Sequence, residues 1–181
     1  MRWPFLFVVL GASSPAFAES PDGFVVRASP GFGVGWDSAE QCPLDGRMFV
    51  GGFSAEIEVA RHSFIGGGTT IAFNQLPAGS CSATDGTRMA TAFVVGPSFE
   101  WYPSARGLHV FALAGYAAFT ASTDEDTVGG FGGTAGVGWD WRLEREPRGF
   151  VAGVRFQVTT ARLSGEHAWL IPALVGTFGF D

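Results

Sequence analysis

The chain contains no lysine; all 11 of its basic residues are arginine. A soluble protein with a large solvated surface normally carries lysine across it, so this absence is unfavourable to one. Charged residues make up only 15% of the sequence and the net charge is −6, which excludes nucleic-acid binding, because that needs a basic patch. Long apolar runs are also missing. Past the N-terminus none approaches the ~18–20 residues that a membrane helix requires. Yet hydrophobic residues reach 46% and mean hydropathy is +0.22. Such a chain is either a large-cored soluble domain or a barrel whose apolar residues are scattered at period two. The 181 residues suit one domain, and no linker-like stretch divides them. Glycine (27) and phenylalanine (18) are the residues in excess.

The first residues read as a signal peptide. Arg2 supplies the positive start, Phe5 to Leu10 begin a short apolar core that Pro15 interrupts, and Ala16-Phe17-Ala18 is an A-x-A cleavage site. Residues 1–18 are expected to be removed. Residues 19–181 then form the mature domain, in an oxidising compartment.

Beyond Glu19, segments of ~12–14 residues alternate apolar and polar positions, the period of a strand. Phe24, Val26, Ala28, Phe32, Val34 and Trp36 oppose Arg27, Ser29, Gly31, Gly33 and Gly35. Further segments set Phe53, Ile57 and Val59 against Glu56 and Glu58, and Ile65, Ile71 and Phe73 against Thr70 and Asn74. Phe93, Val95, Phe99 and Trp101 oppose Ser98 and Glu100, and Val137, Trp139 and Trp141 oppose Asp140 and Arg142. Phe150, Val154 and Phe156 oppose Arg155 and Gln157, and Leu170, Leu174, Phe178 and Phe180 mark the last segment. The segment from Leu108 to Thr120 is too uniformly apolar for its facing to be assigned. Eight strands fit the length. Short connections (61–63, 102–106) alternate with longer polar ones (37–46, 77–86), the pattern of a bacterial outer-membrane barrel. The fold class read from this is all-β: a closed antiparallel up-and-down transmembrane barrel of about eight strands.

Period two does not say which face is outside, and a lipocalin-like soluble binder also has eight strands. Two features favour the membrane arrangement. The polar face is mostly small residues, which suit a narrow lumen. The apolar face is rich in Phe, and Trp36, Trp101, Trp139, Trp141 and Trp169 near segment ends suggest an interfacial aromatic girdle. Arg27, Glu56, Glu58, Glu100, Asp140, Arg142 and Arg155 then point into the lumen, where unpaired charge costs several kcal/mol. A salt-bridged plug toward the short-turn end is expected; the alternative is a small water-filled cavity. Pro30, Pro97 and Pro172 each remove a ladder N–H, so bulges or frayed ends are expected there.

On these features the chain resembles the small outer-membrane barrel superfamily, of the OmpA-transmembrane-domain and opacity-protein type. The resemblance rests on the signal peptide, the eight segments, the Gly-rich strand from Gly130 to Trp139, and an aromatic last strand. It implies insertion by the barrel-assembly machinery, which reads the C-terminal strand through Phe178 and Phe180, although Asp181 follows them. It also implies outer-membrane lipids and lipopolysaccharide as surroundings. The superfamily includes anchors, adhesins and a few lipid-modifying enzymes. Its lipid A deacylases set His and Ser two apart on one strand face. None of His62, His109 and His167 has such a Ser, leaving only the loop group Ser164, Glu166 and His167 as a weak catalytic candidate.

Cys42 and Cys81 lie in the two longest loops, which emerge on one side of the membrane. A disulfide between them would contribute roughly 4 kcal/mol on the chain-entropy model. The period-two glycines Gly31, Gly33 and Gly35 have no helix after them and are not a phosphate-binding loop. Asp124-Glu125-Asp126 offers oxygen ligands for Ca²⁺ or Mg²⁺ without EF-hand spacing; loop solubility is the simpler account. No cofactor, resident metal or catalytic residue is assigned. The sequence thus points to a monomeric, non-enzymatic outer-membrane barrel in envelope integrity or surface interaction. Narrow-pore transport, lipid modification and a soluble periplasmic binder are the alternatives.

Overall fold

The computed structural model describes residues 23–37, 46–76, 88–103, 107–121, 127–142, 149–164 and 168–180. Nearly all of them are strand: β1 (Phe24–Ala28), β2 (Gly31–Asp37), β3 (Gly46–Ala60), β4 (Ser63–Leu76), β5 (Arg88–Trp101), β6 (Leu108–Ala121), β7 (Val128–Arg142), β8 (Phe150–Leu163) and β9 (Ala168–Phe180). The segments carrying Cys42, Cys81, Asp124 to Asp126, Glu166, His167 and the leader lie outside the described residues.

From β3 to β9 each strand pairs antiparallel with the next. β1 and β2 both lie between β3 and β9 and keep one register on either side, so they are two halves of a single strand. The wall is therefore eight strands closed on itself. Following paired residues around it, from Met48 through Gly33, Ala173, Gln157, Gly136, Phe111, Glu100 and Phe64, returns to β3 at Glu58, a stagger of ten residues. Such a stagger tilts the strands and leaves an interior just wide enough for side chains.

The prolines act differently from the bulges and frayed ends expected. Pro30 divides β1 from β2, and the chain crosses the break held by Ser29 N–H to Gly52 O (2.9 Å) and Gly176 N–H to Pro30 O (2.8 Å). At Pro97 the β5–β6 ladder lacks the pairs between Val95–Tyr116 and Ser98–Leu113, while the β4–β5 ladder is continuous through Gly67–Pro97. At Pro172 the β2–β9 ladder is open between Gly33–Ala173 and Trp36–Leu170, while Val158–Pro172 holds on the other side. Each of these two prolines opens one ladder and leaves the register unchanged, because the missing N–H faces only one neighbour. The irregular register is instead at Glu58–Ala60, beside the tight turn where His62 takes a positive φ of 64°.

Side chains alternate across the wall as the strand period requires. Outward lie Phe32, Phe131 and Leu174, with 73%, 67% and 63% of their surface exposed, among many other large apolar residues. Inward, the lumen is divided. Toward the long-loop end it is filled by Met48, Val50, Val94, Leu113, Trp169 and Ile171. Toward the short-turn end it is polar and charged. β6, unreadable in sequence, sends His109, Phe111 and Leu113 in and Leu108, Val110 and Tyr116 out.

Candidate functional site: the charged half of the lumen

Arg27, from the first strand, stands among three carboxylates supplied by three other strands. Its guanidinium pairs with Glu100 of β5, lies 3.6 Å from Glu56 of β3 and 3.8 Å from Asp140 of β7. Each of these residues occupies an inward position near the short-turn end of its strand, so the barrel itself brings them together. All four are nearly inaccessible. Removing ions from water costs several kcal/mol each unless pairing and hydrogen bonds replace the solvent.

The remaining contacts supply much of that replacement. Asp140 accepts from Tyr102 Oη at 2.8 Å and from Thr177 Oγ1 at 2.7 Å. Tyr102 in turn accepts from Arg27 Nη2 at 2.5 Å. Burial, more than any other cause, pushes the Tyr102 hydroxyl well above its usual pKa, so it stays protonated and able to donate. Glu56 accepts from Ser98 Oγ at 2.7 Å. Arg155 forms a second centre: it donates to Gln157 Oε1 (3.1 Å) and Ser29 Oγ (3.2 Å), and stacks 4.0 Å from the Phe111 ring. Phe111 thereby marks the boundary between charged and apolar halves.

His109 lies within the same cluster, Nε2 at 3.5 Å from Glu100 Oε1 and Nδ1 at 3.4 Å from Asp140 Oδ2. Glu100, His109 and Asp140 thus set one ligand atom each within 4.8 Å of one another. Carboxylate, imidazole and carboxylate form a plausible donor set in composition. Here, however, Arg27 already pairs with Glu100, and both oxygens of Asp140 accept hydrogen bonds, from Tyr102 and Thr177. The arrangement is a buried ion network centred on Arg27.

No protein-family model matches the chain, and no curated protein matches it in sequence. Solved structures do. Neisserial surface protein A aligns with a TM-score of 0.57 at 11% identity, over 86% of this chain and 96% of that one. Ail, the attachment invasion locus protein of Yersinia pestis, in complex with the heparin analogue sucrose octasulfate, aligns with a TM-score of 0.52 at 10% identity, over 86% and 98%. The fold is that of the small eight-stranded outer-membrane β-barrels.

Within that barrel, Arg27, Glu56, Glu100, Asp140 and Arg155 meet in the lumen. Glu58 does not join them: it is half-buried at the irregular end of β3, and its carboxylate accepts from His62 N–H at 3.1 Å. The side chain of Arg142 lies outside the described residues. Tyr102 and His109 were missed. Tyr102 continues the inward parity of Ser98 and Glu100 one step past the strand end, a signal that was present. His109 stood on the strand whose two faces are both apolar and gave none.

The girdle needs one correction. Trp36 and Trp101 are exposed on the outer wall, and Trp139 and Trp141 are half-buried there, three of these four at the short-turn rim. Trp169, assigned to the same belt, points inward and is 3% exposed. It alternates with the outward Leu170, and its partner across the β8–β9 ladder, Ala161, is small enough to leave room for an indole. Phe178 and Phe180 face outward on β9, with Phe180 against Phe150 at 5.6 Å between ring centroids.

Proposed function

We propose that the mature chain is a non-enzymatic outer-membrane barrel whose lumen is closed, acting in envelope integrity or surface interaction through the loops at its long-loop end. The observation that carries this reading is the inverted distribution of polarity. Apolar side chains cover the outer wall while charged ones are paired inside, the reverse of a soluble barrel. The packed apolar half above the ion network argues against a conducting pore. In this reading residues 1–18 are a cleaved signal peptide and Cys42 pairs with Cys81 in the oxidising periplasm or beyond. The monomer is inserted by the barrel-assembly machinery through its aromatic last strand, and the polar loops meet the exterior.

Membrane fractionation with heat-modifiable gel mobility tests compartment and barrel together, and planar-bilayer recording tests closure. The expected result is an outer-membrane protein that migrates faster before boiling and shows no steady channel. A steady conductance overturns the closed-barrel reading. Altered lipid A mass in cells producing the protein overturns the non-enzymatic one.

A further inference from the structure

His109 is fully buried inside the lumen, on the strand between β5 and β7. Its ring has a seat made for it. Gly138 lies opposite in the β6–β7 ladder, and a Cβ there would fall 2.5 Å from Nε2. Nδ1 lies 3.4 Å from Gly107 O, and a carbonyl only accepts, so Nδ1 carries the hydrogen and Nε2 presents a lone pair. That lone pair faces Glu100 Oε1 at 3.5 Å. Both atoms are buried, and neither has a hydrogen-bond partner. Two acceptors set face to face away from water repel each other unless a cation stands between them.

Charge and spacing say which cation. Among the described residues, Arg27 is the only guanidinium in ion-pair contact with Glu56, Glu100 and Asp140, one positive charge for three negative ones. A shared proton draws nitrogen and oxygen to about 2.7–2.9 Å. Two ligands on one tetrahedral zinc, at bonds of about 2.0–2.2 Å, stand about 3.3–3.6 Å apart. The 3.5 Å between Nε2 and Oε1 matches the metal. Asp140 supplies a third ligand atom, within 4.8 Å of the other two. Arg27 engages Glu100 through Oε2, so Oε1 stays available. Tyr102 and Thr177 each take one lone pair of an Asp140 oxygen and leave the other, and metal-bound carboxylates keep such bonds. A backbone carbonyl on Nδ1–H is likewise the usual support of a metal-bound imidazole. One imidazole and two carboxylates, with no thiolate, suit Zn²⁺ or a neighbouring first-row ion over Mg²⁺.

We propose that Glu100, His109 and Asp140 form a binding site for a first-row divalent cation, Zn²⁺ foremost, inside the short-turn half of the lumen. The ligands come from three consecutive strands, β5, β6 and β7, so the bound ion staples the end of the wall that Tyr102 closes. The site goes beyond the function given above and rests on the barrel geometry alone, so a conducting barrel would leave it standing.

The test uses mature protein refolded into phosphatidylcholine vesicles, stripped with a chelator and titrated with Zn²⁺ at neutral pH. The readouts are bound metal per chain and the urea midpoint of unfolding, taken on the heat-modifiable fraction. The wild type is expected to bind one Zn²⁺, to unfold at higher urea when it does, and to keep the ion against a large excess of Mg²⁺. H109Q and E100Q are each expected to bind at least about tenfold more weakly and to lose the midpoint shift. H62Q/H167Q, which removes the other two histidines, is expected to bind as the wild type does. No bound Zn²⁺ in the wild type overturns the site, as does displacement by Mg²⁺, which would mean general attraction to carboxylates. Full affinity in H109Q, or its loss in H62Q/H167Q, places the ion elsewhere and also overturns it. Should H109Q not fold, E100Q carries the test, and full affinity there overturns the site.

Discussion

Tyr102 and Asp140 are joined by a 2.8 Å hydrogen bond across the lower mouth of the lumen, from the turn after β5 to the wall strand β7. Because the same hydroxyl accepts from Arg27, a residue outside the strands is fixed by the charges of two of them. The ring itself packs against Phe64 at 5.8 Å and His109 at 5.4 Å.

Tyr102→Phe isolates the hydroxyl from the ring. It leaves the packing with Phe64 and His109 and withdraws one donor from Asp140, which keeps Thr177. The expected loss is about 1–3 kcal/mol, the cost of an unsatisfied buried polar partner. Urea unfolding in lipid vesicles measures it. An unchanged midpoint would mean that the turn is held by the ring alone.

Arg27→Met is expected to cost more, about 3–5 kcal/mol, since it leaves Glu56, Glu100 and Asp140 buried without the guanidinium they share. Adding Glu100→Gln removes one of the stranded charges, so R27M/E100Q should be more stable than the sum of the single losses predicts. Additive losses over the double-mutant cycle would show that the pair is not coupled.

Lipid-brominated quenching separates the inward tryptophan from the rest. In variants retaining a single tryptophan, Trp36 and Trp101 on the outer wall should be strongly quenched by brominated acyl chains, and Trp169 barely at all. Quenching of Trp169 equal to that of Trp101 would return it to the outer belt.

The misreading of Trp169 shows what limits a sequence reading of this barrel. Facing was legible wherever one face was small or charged and the other bulky, as where Arg27 and Ser29 alternate with Val26 and Phe32, or Asp140 with Trp139 and Trp141. That contrast holds in the lower half of the lumen and reaches the upper half on β2 and β7, where Gly35 and Gly132 alternate with Trp36 and Phe131. In the upper half of β9 the inward residues Ile171, Ala173 and Val175 are as apolar as the outward Leu170 and Leu174. Parity there carries no polarity signal, and β6 fails for the same reason, with Phe111 and Leu113 inside and Val110 outside. The strand count was readable because the polar connections are distinct. The break at Pro30 was readable as a disturbance, but that Pro97 and Pro172 would each open one ladder and keep their strands whole was not.

Adjacent glycines on β4 give a last test of the wall, because they differ in side and not in strand. A Cβ on Gly66 would meet the backbone of Ala55 and Glu56, the partner strand being pressed against it on the lumen side. One on Gly67 would meet nothing nearer than Gly96 O at 3.9 Å and would project toward lipid. Gly66→Ala must therefore displace β3 backbone at the position of Glu56, disturbing both the contact to Arg27 and the bond from Ser98. Overpacking of this kind costs about 1–3 kcal/mol or more. Gly67→Ala is expected to stay within about 0.5 kcal/mol of the wild type, as surface substitutions do. The fraction migrating as compact barrel before boiling, measured against urea, compares them directly. Equal behaviour of the two variants would mean that the close approach of β3 and β4 at Glu56 does not constrain the wall.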